Sequence, residues 1–144
     1  MIRSNIRERN ILFLCDDNAC LSFIAEAIAQ RLSPPSTLVF SAGLEPSKIN
    51  SQTKEVLSEI GVNVSTENGK GLDRIPTHDI DLIINLGKQT EALPGFSAKA
   101  KWRTWKISDP RRDPGATLDT FRRLRDEINV RVAGLFLDYW RNPA

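Results

Sequence analysis

Leu14-Cys15-Asp16-Asp17-Asn18-Ala19-Cys20-Leu21-Ser22 is the stretch on which the reading of this chain turns. It joins a continuous apolar run, Ile11-Leu12-Phe13-Leu14, to a segment in which Ile24, Ala25, Ile28, Ala29 and Leu32 recur at helical spacing. A short run without polar interruption suits a central parallel strand covered on both faces, so Cys15 ends a strand and the polar residues after it open a helix. The first N–H groups of that helix lack intrahelical partners and carry the positive end of the macrodipole. Such a junction holds an anion or a thiolate.

Working outward, the helix runs from about Ser22 to Leu32 and stops at Ser33-Pro34-Pro35. Leu38-Val39-Phe40 is a second strand ending at Ser41-Ala42-Gly43. Asn50 or Ser51 caps a second helix, with Val56, Leu57 and Ile60 on one face and Gly61 at its end. Val62 to Val64 is a short extended piece. Ser65 to Asp79, broken by Gly69, Gly71 and Pro76, is a loop with one helical turn around Leu72 to Ile75. Ile80 to Leu86 is the third strand, Lys88 to Ala98 a loop or short helix, and Trp102 to Ile107 the fourth strand. A last helix from about Thr117 to Tyr139 carries Phe121, Leu124, Ile128, Val132 and Leu135 as a core-facing stripe.

Strands alternating with helices in one short chain imply an α/β fold: a four-stranded open parallel sheet with helices on both faces. In such sheets ligands bind beyond the carboxyl ends of the strands. Three polar clusters fall there: Cys15 to Ser22, Ser41-Ala42-Gly43 and Ser108-Asp109-Pro110.

Composition narrows the function classes. The 144 residues fit one domain, residues 10–144, preceded by a loose arm over residues 1–9. The 20 basic and 18 acidic residues are spread through the chain and give no case for nucleic acid or an anionic membrane as partner. No apolar run is long enough to span a bilayer, and the start lacks the apolar centre of a secretory signal. Two cysteines, Cys15 and Cys20, are too few for a disulfide scaffold and fit a reducing compartment, so a cytoplasmic location is expected. His78 is the only histidine, which makes no convincing metal set, and no cofactor is expected.

These residues resemble the low-molecular-weight protein tyrosine phosphatases and their relatives, the thioredoxin-coupled arsenate reductases. The resemblance covers nearly the whole chain after the arm. It rests on the order of elements, the strand-ending Cys15, then Asn18, Cys20 and Ser22 in the loop and Ala25-Glu26-Ala27 in the helix. Ser41-Ala42-Gly43 and the late Asp109-Pro110 complete it. It implies that Cys15 is a nucleophile, that Asp109 is a general acid and then a base for water, with Pro110 holding its loop, and that Asp16, Asp17, Asn18, Ala19, Cys20, Leu21, Ser22 and Ser41 form or brace the oxyanion loop.

Two departures bear on activity. The family's loop has the form C-x-x-x-x-x-R, and its arginine position is Leu21 here. Arginine grips an oxyanion with two parallel hydrogen bonds and a fixed charge, and leucine offers neither. The position usually held by glycine is Asp17, preceded by Asp16, so two acids oppose a negative sulfur at Cys15 and a dianion beside it. The N–H groups of the helix terminus and the Ser22 hydroxyl are the supports left. If the loop needs a positive φ at Asp17, that residue is strained.

Arg111 and Arg112 read as solvated loop arginines, with the alternative that one reaches an anion in the cleft. Trp102 and Trp105, three apart on a strand, face opposite sides; one belongs to the core and the other lines the cleft. Tyr139 and Trp140 cap the core or form a partner patch. No cysteine follows Cys20, which excludes an intrachain three-cysteine arsenate reductase relay. Cys20 reads as a buried small apolar residue, with a reversible Cys15–Cys20 bond as the alternative.

Three functions stay open. One is a weakly active or inactive member with a cleft for an oxyanion or a phosphorylated partner, favoured by Leu21 and the acids. Another is a working cysteine phosphatase using Cys15 and Asp109. The third is a redox sensor built on Cys15 and Cys20. The sequence specifies no oligomeric state.

Overall fold

Ile11, Leu12, Phe13 and Leu14 are each no more than 1% exposed, and because successive strand side chains point to opposite faces, this run is buried on both sides. The computed structural model describes residues 9–88 and 93–141. Four strands, β1 (Arg9–Cys15), β2 (Thr37–Gly43), β3 (Leu82–Asn85) and β4 (Lys101–Thr104), form one parallel sheet in the order β2-β1-β3-β4. Connecting parallel strands requires crossovers, and the chain supplies α1 (Leu21–Leu32), α2 (Ser51–Ser58) and α3 (Leu118–Arg141) together with short 3₁₀ turns.

Ile11, Phe13 and Cys15 of β1, with Leu82 and Ile84 of β3, meet all three α-helices through Ile24, Ile28, Val56, Leu57, Phe121, Leu124, Ile128 and Val132. The α3 contacts follow the stripe read from the sequence. The opposite face, Leu12, Leu14, Ala42 and Ile83, is covered by Ile75 and Ile80 around the 3₁₀ turns Leu72–Arg74 and Thr77–Asp79, and by Phe96, Ala100 and Trp102. Arg122 and Arg125 on α3 reach Glu59 at the end of α2 at 2.7 and 2.8 Å, latching the two helices on the solvent side.

The expected element order holds, with shifted bounds. Arg9 belongs to β1, its N–H donating to the Ser36 carbonyl at 2.8 Å, while residues 1–8 of the expected arm lie outside the described residues. The third and fourth strands are shorter than expected, Leu82–Asn85 and Lys101–Thr104; at their ends Leu86 donates to the Leu14 carbonyl at 2.7 Å and Trp105 to the Asn85 carbonyl at 2.9 Å. Asn50 caps α2, its Oδ1 accepting from the Thr53 N–H at 2.9 Å. Gly61 follows α2 at φ +84°, a left-handed turn that suits glycine. Val62 and Val64 pack on the core without joining the sheet. Trp102 and Trp105 do part to opposite faces. The Tyr139 and Trp140 side chains lie outside the described residues. Among the described residues no helix is long and apolar enough to cross a membrane.

This topology sends β1 and β3, the two central strands, to the same edge as the start of α1. The three polar clusters marked in the sequence meet there.

Candidate functional site

The loop between β1 and α1 is held in shape by its own carbonyls. Those of Cys15, Asp16, Asp17 and Ala19 accept from the N–H groups of Leu44, Glu45, Ser47 and Asn50 at 3.2, 2.8, 3.1 and 3.0 Å. Gly43 and Gly87 are among the glycines that allow the neighbouring segments to come that close. A Cβ at Gly43 would sit 2.4 Å from the Asp17 carbonyl carbon, and one at Gly87 would sit 2.6 Å from Asp16 Oδ1 and 3.0 Å from the Cys15 Cα. Ser41-Ala42-Gly43 therefore braces the loop from β2, and Gly87 admits it beside the end of β3.

Asn18 is the pin of the loop. It is fully buried, adopts φ +54°, and spends its whole side chain inward: Nδ2 donates to Ser22 Oγ at 2.8 Å and Ser41 Oγ at 2.9 Å, and Oδ1 accepts from the Lys70 N–H at 2.8 Å. Ser41 in turn donates to Glu26, which also binds Lys70 Nζ at 3.0 Å. The left-handed residue is thus Asn18 and not Asp17. An asparagine tolerates that conformation better than most residues, so the strain expected at Asp17 does not arise.

Cys15 Sγ lies 2.8 Å from Ser22 Oγ and accepts from the Asn18 N–H at 3.2 Å. When the sulfur is a thiolate the hydroxyl must be the donor, so two donors converge on it. Cys20 is different. It is fully buried, and burial pushes its thiol up to about 12 despite a hydrogen bond with Thr53, which leaves it a neutral core residue at ordinary pH. Both cysteines are free. Ala19 and Leu21 are buried as well, and Leu21 is the loop's apolar contribution to the cavity wall.

Above the sulfur is a cavity of about 360 Å³ whose lining includes Cys15, Asp17, Leu21, Trp105, Asp109 and Arg111. Trp105 stands on Phe13 with ring centroids 5.9 Å apart and forms the aromatic wall. Asp109 caps a 3₁₀ turn, Pro110–Arg112, accepting from the Arg111 N–H at 2.9 Å. The turn folds Arg111 back over Asp109: Nε lies 3.0 Å from Oδ1 and a terminal nitrogen 2.6 Å from Oδ2. The same guanidinium grips Asp17 with a two-pronged fork, 2.8 Å to Oδ2 and 3.2 Å to Oδ1. One cation therefore bridges the acids of two segments 92 positions apart in the numbering (109 − 17).

The charges respond accordingly. Burial alone would raise the Asp17 carboxyl, but the Arg111 fork, the Ala19 N–H, the Arg111 charge and Ser47 outweigh it and hold it below the usual carboxylate range. Burial opposes the charge on Arg111, and the two carboxylates more than restore it. Both Asp109 oxygens accept from Arg111, Oδ1 from its backbone N–H and Nε, and Oδ2 from Nε and a terminal nitrogen.

Two expectations are corrected here. Arg111 is not a solvated loop arginine, since its side chain is 26% exposed and fixed in the cleft. Asp16 does not oppose the sulfur in the way Asp17 does: its Oδ1 accepts from the Lys88 N–H at 3.1 Å, and its Oδ2 lies 3.8 Å from Arg112 at the rim. The remaining loop residues named from the sequence, together with Ser41 and Asp109, come together at one site. What sequence reasoning missed is the Asp17–Arg111–Asp109 bridge. Its one signal was an arginine directly after Asp-Pro in a chain whose loop had lost its own.

The model for low molecular weight phosphotyrosine protein phosphatases matches residues 10–142. An arsenate reductase of Bacillus licheniformis is 30% identical over 129 residues, 87% of this chain and 93% of that protein. A glutaredoxin arsenate reductase of Synechocystis is 27% identical over 128 residues, 88% of this chain and 95% of that one. A solved arsenate reductase in the phosphate binding state superposes with a TM-score of 0.76 at 27% identity, covering 90% of this chain and 98% of the other.

Proposed function

The chain belongs to the low molecular weight phosphotyrosine protein phosphatase family, and we propose that it is a member with weak or no turnover whose cleft binds the oxyanion of a phosphorylated protein or a small ion such as phosphate or arsenate. The observation that carries this reading is the pairing of Leu21 with Arg111. At the family's arginine position stands a leucine side chain only 5% exposed, and the cation that has entered the cleft is bound to two carboxylates.

A preorganised donor that meets developing negative charge is worth about 3 to 4 kcal/mol, or about a hundredfold to a thousandfold in rate, and a missing charge costs at least as much. The donors on Cys15 support a binding loop: the Asn18 N–H, the Ser22 hydroxyl and the start of α1 favour negative charge whether or not a bond is broken. Reduction of a bound arsenate would need a second thiol, and Cys20 is fully buried, neutral and absent from the cavity lining. The cytoplasm, where thiols stay reduced, fits two free cysteines.

Steady-state hydrolysis of para-nitrophenyl phosphate tests the reading. Wild type is expected at least about a hundredfold below an active low molecular weight phosphatase assayed beside it, with little further loss in Cys15→Ser. A rate equal to that of the active enzyme and abolished by Cys15→Ser would establish a working phosphatase instead.

A further inference from the structure

We propose that Arg111 is the oxyanion-binding cation of this cleft and that the Asp17 carboxylate is a tethered anion standing in the oxyanion's place, so that a phosphate-class ion binds by displacing Asp17 from Arg111. This deepens the oxyanion-binding reading above and rests on it.

A tetrahedral oxyanion bound over a loop of this shape needs three things: backbone N–H groups of the loop, a planar fork of guanidinium N–H groups, and a position next to the sulfur. Asp17 makes one contact to a loop N–H, takes the fork, and lies near the sulfur. Its Oδ1 accepts from the Ala19 N–H at 3.2 Å, its two oxygens take the Arg111 fork at 2.8 and 3.2 Å, and Oδ1 is 4.0 Å from Cys15 Sγ. The two parallel bonds are those by which an arginine recognises phosphate, here made to a carboxylate of the same molecule. Asp16, one residue earlier, has none of these contacts; it binds the Lys88 N–H and lies near Arg112, whose side chain is 58% exposed.

The positions of the two charged groups explain each other. Arg111 enters from the Asp109-Pro110 turn because Leu21 brings no cation of its own, and Asp17 neutralises it. A tethered group competes at an effective concentration of the order of millimolar, so a free ion of ordinary affinity binds poorly until the tether is removed. Removing Asp17 leaves Arg111 anchored by Asp109 alone, with its Asp17-facing nitrogens open to the cavity.

Calorimetric titration with inorganic phosphate tests the assignment on wild type, Asp17→Asn, Asp17→Ala, Asp16→Asn and the double variant Asp17→Asn/Arg111→Gln, each checked for a cooperative thermal transition. Both Asp17 variants are expected to bind phosphate at least about tenfold more tightly than wild type. Asp16→Asn, which removes the same charge from the same cleft, is expected to gain less than about threefold, as a rim charge does, and the double variant loses the gain. Folded Asp17 variants no tighter than wild type would overturn the assignment. So would an equal gain in Asp16→Asn, which would reduce Asp17 to general repulsion, or a gain that survives in the double variant, which would remove Arg111 from the site. The titration reads no turnover, so it separates from the hydrolysis assay: wild-type phosphatase activity would end the reading of weak turnover without touching the order of these affinities.

Discussion

Leu21→Arg is expected to raise kcat/KM for para-nitrophenyl phosphate by about a hundredfold or more, and Cys15→Ser in the same background is expected to abolish the gain. Leu21 opens α1 and lines the cavity with Cys15, so an arginine there starts from the helix terminus that already favours an anion. Everything else the chemistry asks of the loop is in place. Cys15 has its two donors, Asn18 holds the turn, and Asp109 stands across the cavity. The new guanidinium also has Asp17 and Asp109 within the same cavity as competitors, so part of its charge is spent on them; Asp17→Asn added to Leu21→Arg should raise the rate again. Initial rates at saturating and at low substrate separate the two effects. A gain in kcat marks transition-state stabilisation, and a change confined to KM marks ordinary binding. A folded Leu21→Arg protein with the wild-type rate would show that the lesion lies elsewhere in the loop.

Asn18→Ala is expected to cost about 3 to 5 kcal/mol of stability, from the loss of three buried hydrogen bonds at roughly 1 kcal/mol or more each and a left-handed conformation that alanine adopts at about 1 kcal/mol. The Lys70 N–H and the hydroxyls of the fully buried Ser22 and Ser41 lose their shared partner at once. Ser41 is already committed as donor to Glu26 and cannot turn to fill the gap. Thermal melting should show a fall of roughly 10 °C or more. Asn18→Gly separates the causes: it relieves the backbone at φ +54° while losing the same hydrogen bonds, so it should melt above Asn18→Ala and well below wild type. Equal melting of both variants with wild type would show that Asn18 is not the pin of the loop.

Much of this site is legible in the sequence because strand and helix patterns fix where Cys15 must be. An apolar run of four, a cysteine, then apolar residues at helical spacing allow only a strand-to-helix junction, and β1 and α1 occupy it. Ser41-Ala42-Gly43 and Asp109-Pro110 are legible for the same reason, as polar clusters at strand ends on one edge of a parallel sheet. The sequence does not show where a long side chain goes after its backbone is placed. Arg111 looks like any loop arginine until the 3₁₀ turn after Asp109 folds it back, and its reach to Asp17 depends on the turn after β4 lying beside the loop at the carboxyl end of β1. Asp16 and Asp17 are neighbours in the chain and identical in type, and only the close approach of Gly87 and Lys88 to one of them sends the two carboxylates to different partners. The left-handed residue was equally hidden, because asparagine and aspartate both tolerate that conformation and adjacent positions compete for it.

Whether Cys15 acts as a nucleophile is read most directly by its own mass. Nitrophenolate leaves without needing a proton, so transfer of the phosphoryl group to Cys15 does not wait on Asp109, while the later attack by water does. Wild type and Leu21→Arg are mixed with excess para-nitrophenyl phosphate, quenched in denaturant over a time course, and the peptide containing Cys15 is weighed. The expected result is a phosphoryl group on Cys15 of Leu21→Arg over an interval in which wild-type Cys15 is unmodified. Equal and rapid labelling of Cys15 in wild type would contradict it, and would mean that Arg111, released from Asp17 by the substrate itself, already supplies the charge that Leu21 withholds.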